Sequence, residues 1–442
     1  MRQIDSLISA GWILPVEPTG ATMHDAAIAI TDGLIVALGP RDQLEQDFVA
    51  VNRHHFPHHV LIPGLVNAHT HAAMSLFRGI ADDLPLMDWL QNHIWPAEGR
   101  WVNEAFVTDG TRLAGLEMLR SGTTCFSDMY FFPDRTARAA TDLGIRAVVG
   151  LIAIDAPTVW ASTPREYLTK GTAVHDEFRG EPLITTAFAP HAPYTVGDET
   201  LDRIGVLAEE LDIPIHIHLH ETQHEVNDAV SANGERPIAR LNRLGLLSPR
   251  LIAVHMTALN DDDIDAIATH NVSVIHCPES NLKLASGMCP VQRLDDAGVL
   301  IAIGTDGAAS NNDLDMIAET RLASLLAKGV AGSATALPAH RALEYATLHG
   351  ARALGLADEI GSLVPGKAAD VVAIDLSHAE TQPIYHPEAQ LIYSAGREQV
   401  TDVWIAGEHV LDARETTRFP HDDILDAART WGDRIASAPR HC

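Results

Sequence analysis

His69 and His71 stand one residue apart in IPGLVNAHTHAAMSLFRG, where an apolar, alternating run ends. In a strand, residues i and i+2 face the same side, so the two imidazoles can reach one ion. A single His-x-His pair is more often structural than metal-binding. Its meaning changes when other apolar runs end in similar groups, and here they do. Asp128 ends one run and His191 another. His216, His218, His220 and Glu221 follow on a third, and His255, His276 and Asp306 close three more. Two imidazoles, a third from the 216–220 group and the carboxylate of Asp306 make a donor set of three nitrogens and one oxygen. That set suits Zn2+ with a position left for water, and Fe2+ or Mn2+ would accept it.

The 216–220 run is ambiguous. His216, His218 and His220 share one face by period two, so periodicity does not choose the ligand among them. His220-Glu221-Thr222-Gln223-His224 also fits the H-E-x-x-H pattern of zinc proteases. That pattern needs both histidines on one helical face. The residues before it alternate like a strand and include Pro214, which argues against such a helix. The zinc deaminase signature H-x-E…P-C-x-x-C is absent: His378-Ala379-Glu380 is an isolated partial match.

The elements that must carry these groups alternate regularly. Eight short apolar runs, from LIPGLVNAH to VLIAIGTDG, are separated by amphipathic segments such as NEAFVTDGTRLAGLEMLRSG and DETLDRIGVLAEELD. Near-continuous Val, Ile and Leu suits strands buried on both faces. Eight strand–helix units predict a (β/α)8 TIM-like barrel over 61–365, with its chemistry at the C-terminal strand ends. Residues 1–60 and 366–442 read as short strands with turns, plus a final helix in DILDAARTWGDRIASA. The two ends are expected to join into one small β-sandwich domain. Expected strands there include AADVVAIDL, QLIYSAG and a hairpin in QVTDVWIAGEHVLD with Ala-Gly at its turn. The histidine-rich HHFPHHV, His54 to Val60, reads as a solvated strand or turn.

Composition bounds the partners. The chain has 442 residues, 46% of them hydrophobic, and a formal net charge of −28 from 31 basic and 59 acidic side chains. Such an acidic balance disfavours nucleic acid and anionic membranes. No run reaches the ~18 apolar residues of a membrane span, and the N-terminus does not read as a signal peptide. Cys125, Cys277, Cys289 and Cys442 form no C-x-x-C pair, which fits a reducing, cytoplasmic setting. A homo-oligomer acting on a small molecule is the expectation.

PGLVNAHTH, HLHET, GTDGAASNNDLDM and GSLVPGKAADVVAIDL resemble the amidohydrolase superfamily, and most closely its 5'-methylthioadenosine/S-adenosylhomocysteine deaminases. The resemblance covers nearly the whole chain. It implies metal-assisted hydrolytic deamination of an adenine ring in a nucleoside substrate. It also implies metal ligands at His69, His71, His218 and Asp306, which resolves the 216–220 ambiguity. Glu221 falls on the acid/base glutamate and His255 on the polarising histidine. Asp306 doubles as the group that takes the water's proton. Substrate contacts fall on Glu98 in IWPAEGRW, on His191 in APHAPYTV and on Glu221 and Asp306, with Trp89 in LMDWLQ as an aromatic wall. His276 matches no family role and reads either as packing or as a support behind the ligands. The chain departs from the pattern at one place: AVVGLIAIDAPTVW carries no arginine to pair a homocysteine carboxylate. Arg165 is the next candidate. The departure favours an uncharged methylthio group. Triazine and guanine-type hydrolases share these ligands and are the nearest rivals. A non-catalytic scaffold would have lost ligands that are all present here.

Overall fold

A computed structural model describes residues 2–437. Sixteen strands divide between two sheets. In chain order the first four are β1 (Arg2–Ile13), β2 (Met23–Thr31), β3 (Leu34–Pro40) and β4 (Phe48–Pro63). The barrel strands are β5 (Leu65–Thr70), β6 (Thr123–Tyr130), β7 (Arg146–Ala153), β8 (Ile184–Pro190), β9 (Ile215–Leu219), β10 (Leu251–His255), β11 (Ser273–His276) and β12 (Ile301–Ile303). The last four are β13 (Val371–Asp375), β14 (Val400–Ile405), β15 (Glu408–Asp412) and β16 (Glu415–Thr416).

Strands β5 to β12 pair in sequence order, and the register is parallel at every step. All eight expected barrel runs are strands. The helices between them cover the outer face, as parallel sheets require. Helix Glu104–Arg120 starts where the Asn103 side chain accepts from the amides of Ala105 and Phe106. Helix Asp261–Thr269 starts in a capping box between Asn260 and Asp263.

The seam between β5 and β12 is closed by side chains and backbone together. Asn67 Nδ2 donates to Thr305 Oγ1 at 2.7 Å, and the Thr305 amide donates to Asn67 Oδ1 at 3.0 Å. The Asp306 amide donates to the His69 carbonyl at 3.0 Å. Gly304 makes this approach feasible: a Cβ there would lie 2.7 Å from the His69 nitrogen.

The chain ends join in one mixed sheet of order β16-β15-β14-β13-β4-β1-β2-β3. Two hairpins hold it. Asp32-Gly33 joins β2 to β3 and Ala406-Gly407 joins β14 to β15, all four residues at positive φ, as type I' turns demand. The expected strand in QLIYSAG is instead part of helix Pro387–Tyr393. Pro387 sits at the start of that helix, where its missing N–H costs nothing, and Leu391 and Ile392 bury one short face. Helix His421–Ala436 follows the small sheet in sequence but packs on the barrel. Trp431 meets Phe106 edge-on at 5.2 Å, and its indole N–H donates to Asp109 at 2.9 Å. Cys125, Cys277 and Cys289 are buried free thiols, and Cys442 lies outside the described residues. No helix among the described residues is long and apolar enough to cross a membrane.

Candidate metal centre and active site

The C-terminal ends of β5, β9 and β12 converge. His69 stands buried next to the end of its strand, and His71 follows one residue beyond β5. The Nε2 atoms of His69 and His218 are 3.2 Å apart. Asp306 Oδ1 lies 3.4 Å from His69 Nε2 and 3.2 Å from His71 Nε2. The ligand atoms of His69, His71 and His218 lie within 4.8 Å of one another.

The other side of each ring explains why these atoms face inward. His71 Nδ1 donates to the Met129 carbonyl at 2.6 Å, and His218 Nδ1 donates to the His191 carbonyl at 2.7 Å. A carbonyl only accepts, so both Nδ1 atoms carry a hydrogen, and in the neutral rings that a metal requires both Nε2 atoms present lone pairs. His69 Nδ1 lies 3.0 Å from His216 Nε2, whose Nδ1 lies 3.1 Å from Ser127 Oγ. A proton running from His69 to His216 to Ser127 gives His69 the same tautomer. Three imidazole lone pairs and a carboxylate oxygen then face one another with no donor between them. A divalent cation satisfies such a set, and the second shell is the one metal-bound histidines use. The donor chemistry therefore fits a divalent metal.

The three histidines on and just past β9 separate here. His218 enters the cage and His216 stands behind His69. His220 turns away at φ +51°, donating from Nδ1 to the Ala258 carbonyl at 3.0 Å and accepting the Ile238 amide at Nε2 at 3.2 Å. Both its nitrogens are committed. The protease pattern fails with it. The helix begins only at Gln223, capped by Thr222, and His224 is exposed beside Asp228. Asp128 is also outside the cage, accepting from the Ala72 amide and the Thr136 hydroxyl.

Asp306 is fixed from behind. Ser280 Oγ donates to its Oδ2 at 2.6 Å and Ser310 Oγ at 3.1 Å, while the Gly307 amide donates to Oδ1 at 2.8 Å. Glu221 lies at the rim, buried, with Ser286 Oγ donating to it at 3.2 Å, and His255 Nε2 lies 3.9 Å from it. Burial pushes the Glu221 carboxyl above its ordinary range, against the opposing pull of His255. That shift favours the protonated form, as a proton donor needs. Ser280, Ser286, Ser310 and Asn281 were not singled out from the sequence. They sit just past the strand ends, and reading the loops as well as the strands would have reached them.

A cavity of about 400 Å³ opens from the cage. Glu98, His191 and Trp89 all line it, as do Tyr130, Tyr194, Ile152 and Ile154. Glu98 comes from helix Trp95–Trp101, and burial raises its carboxyl to about 7. Burial lowers His191 to about 3, so it is a neutral ring, with Nδ1 3.0 Å from Thr195 Oγ1. Trp89 is buried and its indole N–H has no partner. Among the described residues no arginine or lysine lines this cavity. Arg165 is exposed on helix Pro164–Phe178 and borders a separate depression with Asp155 and Glu199. Arg146 begins β7, at the end of the strand opposite the cage. HHFPHHV runs along β4 in the small sheet, away from the site.

Comparison with known proteins agrees with this geometry. Residues 60–410 match the amidohydrolase family. A 5-methylthioadenosine/S-adenosylhomocysteine deaminase of Saccharophagus degradans is 50% identical over 431 residues, covering 98% of this chain and 97% of that protein. Its counterpart in Teredinibacter turnerae is 47% identical, covering 98% of each. The crystal structure of an adenosine deaminase from Xanthomonas campestris with bound zinc is 54% identical, with a TM-score of 0.98, and the match covers 99% of this chain and all of that one. An atrazine chlorohydrolase from Arthrobacter aurescens, at 22% identity and a TM-score of 0.90, shares the fold. This chain belongs to the amidohydrolase family, within its branch of 5-methylthioadenosine/S-adenosylhomocysteine deaminases, hydrolases of C–N bonds.

Proposed function

We propose that the chain hydrolytically deaminates 5'-modified adenosines, and that it prefers 5'-methylthioadenosine to S-adenosylhomocysteine. The observation that carries the preference is the cavity wall. It is largely apolar, with no cationic side chain among the described residues to pair a homocysteine carboxylate. A missing charge-assisted hydrogen bond is worth ~1.5–3 kcal/mol, or roughly tenfold or more in kcat/KM.

His69, His71, His218 and Asp306 would hold the metal, and the zinc-bound relative supports Zn2+. A divalent ion in such a site supplies a nucleophilic water at neutral pH. The remaining work belongs to the chain. His255 holds the attacking water by accepting from it at Nε2. Asp306 takes that water's proton. Glu221, whose carboxyl burial pushes upward, donates to ring N1 and makes C6 electrophilic. Asp306 passes its proton on to the amino group, the tetrahedral carbon expels ammonia, and the hydroxyl proton returns to Glu221, leaving the inosine analogue. Glu98 accepts from ribose hydroxyls, His191 meets a ring nitrogen and Trp89 walls the cavity. A substrate lacking the ribose would leave buried polar groups unpaired. The buried free thiols support a reducing, cytoplasmic setting.

Ammonia release by the zinc-loaded enzyme across a panel of 5'-modified adenosines tests this reading. The methylthio compound should lead by about tenfold or more. Equal or higher efficiency on S-adenosylhomocysteine would sink the preference. Turnover of guanine or a triazine without any adenosine would replace the reaction.

A further inference from the structure

We propose that Asn281 is a positioning residue that fixes the tautomer and orientation of His255. The proposal rests on the reading of His255 as part of the deaminase site. His255 closes β10 at φ +76°, and Met256 follows at φ +51°. The backbone thus leaves the strand through two left-handed residues, and strand geometry alone does not set the ring. A side-chain anchor does. His255 Nδ1 lies 2.9 Å from Asn281 Oδ1, with both side chains buried. Asn281 is itself held by its backbone in helix Pro278–Lys283: its amide donates to the Cys277 carbonyl at 3.0 Å, and its carbonyl accepts from Ser286 at 2.9 Å.

The rival anchor is absent. His276 ends the neighbouring strand β11, and neither of its ring nitrogens has a hydrogen-bond partner. With the Asn281 amide oxygen towards the ring and its Nδ2 without a partner, His255 Nδ1 is the donor, and in the neutral ring the lone pair falls on Nε2. That atom faces Glu221, and a ring nitrogen of His255 lies within 4.8 Å of ligand atoms of His69 and Asp306. The segment from Ser280 to Ser286 therefore sets three groups at once: Asp306 through Ser280, His255 through Asn281 and Glu221 through Ser286. A neutral amide does this without placing a second buried carboxylate beside Glu221.

Long-range proton–nitrogen NMR on the zinc-loaded, histidine-labelled enzyme reads the tautomer, with His255 assigned by the loss of its signals in His255→Gln. The expected form carries hydrogen on Nδ1. Asn281→Leu removes the acceptor at similar size. It should lose that preference and roughly 10- to 100-fold of kcat, with KM within about threefold and metal content unchanged. Asn281→Asp, which keeps an oxygen there, should retain more activity than Asn281→Leu. Hydrogen on Nε2 in the wild-type enzyme, or wild-type kcat in Asn281→Leu, would overturn the proposal. Should Asn281→Leu fail to fold, the wild-type tautomer still decides. Should no adenosine be deaminated, the deaminase reading falls while the tautomer measurement stands on its own.

Discussion

His218 and His220 differ by two residues and face the same side of one strand in any periodicity count, yet they have opposite fates. His218 keeps a free Nε2, whereas His220 has spent both nitrogens on the Ala258 carbonyl and the Ile238 amide. His218→Ala should lose metal and activity together. His220→Ala should keep the metal and lose stability by about 1–3 kcal/mol, the cost of buried groups left unpaired. Metal analysis alongside denaturation separates the two, and metal loss from His220→Ala alone would reverse the assignment. Glu221→Gln should retain metal while kcat falls roughly 10²–10⁴-fold, because the amide carries no transferable proton. His224→Ala should change little, since that ring is exposed. Glu98 makes a pH prediction. With its carboxyl raised to about 7 by burial, it is ionised above that value and neutral below it. A carboxylate accepts from sugar hydroxyls more strongly than a carboxylic acid. KM should therefore rise as pH falls through about 7, and Glu98→Gln should flatten that rise. A KM profile from acid to mild base, equally steep in both proteins, would remove Glu98 from substrate binding.

At the scale of elements, the barrel seam decides whether the cage assembles. His69 and Asp306 come from the first and eighth barrel strands, and they meet because β5 and β12 approach closely across Gly304. Any side chain there collides with His69 backbone atoms at 2.7–2.8 Å. Backbone does not yield as a flexible side chain would. Gly304→Ala should cost about 1–3 kcal/mol through overpacking and weaken metal retention by moving His69 relative to Asp306. Thermal unfolding and dialysis against a chelator would check both. Unchanged metal retention with lowered stability would mean that the seam is only a packing feature. The alternation of buried strands and amphipathic helices made the barrel legible in advance. The misread segment was QLIYSAG, seven residues whose apolar pair suits a strand or one short helical turn equally well. Pro387 and the packing of Leu391 and Ile392 chose the helix.

Across the whole molecule, the small sheet is tied to the bottom of the barrel and the cage stands at the top. Arg146, at the start of β7, meets Asp370 with Nε to Oδ2 and Nη2 to Oδ1 both at 3.4 Å, and both side chains are buried. Asp370 also accepts the Ala406 amide at 2.8 Å. Asp370→Ala leaves a buried guanidinium without its carboxylate, a change that typically costs about 3–5 kcal/mol. Stability should fall by that order while kcat holds, because the pair sits at the end of β7 away from the cage. Denaturant titration beside steady-state kinetics measures both. A kcat loss matching the stability loss would couple the small domain to catalysis.

The amino-acid order by itself determined the alternation of elements, the polar residues at strand ends and the His-x-His pair, because period and residue type are local properties. It could not choose among His216, His218 and His220 by that logic, and the resemblance to known deaminases was needed to do so. Tertiary structure decided what each of them does: one faces the cage, one buttresses His69, one is consumed by loop backbone. It likewise decided that Asp128 is an anchor for Ala72 and Thr136, that Arg165 lies away from the cavity and that Asn281 meets His255. These outcomes depend on where segments as much as 149 residues apart come together. Hydrogen-bond partners at that separation leave no trace in local periodicity, because the chain specifies them only through the packing of the whole barrel.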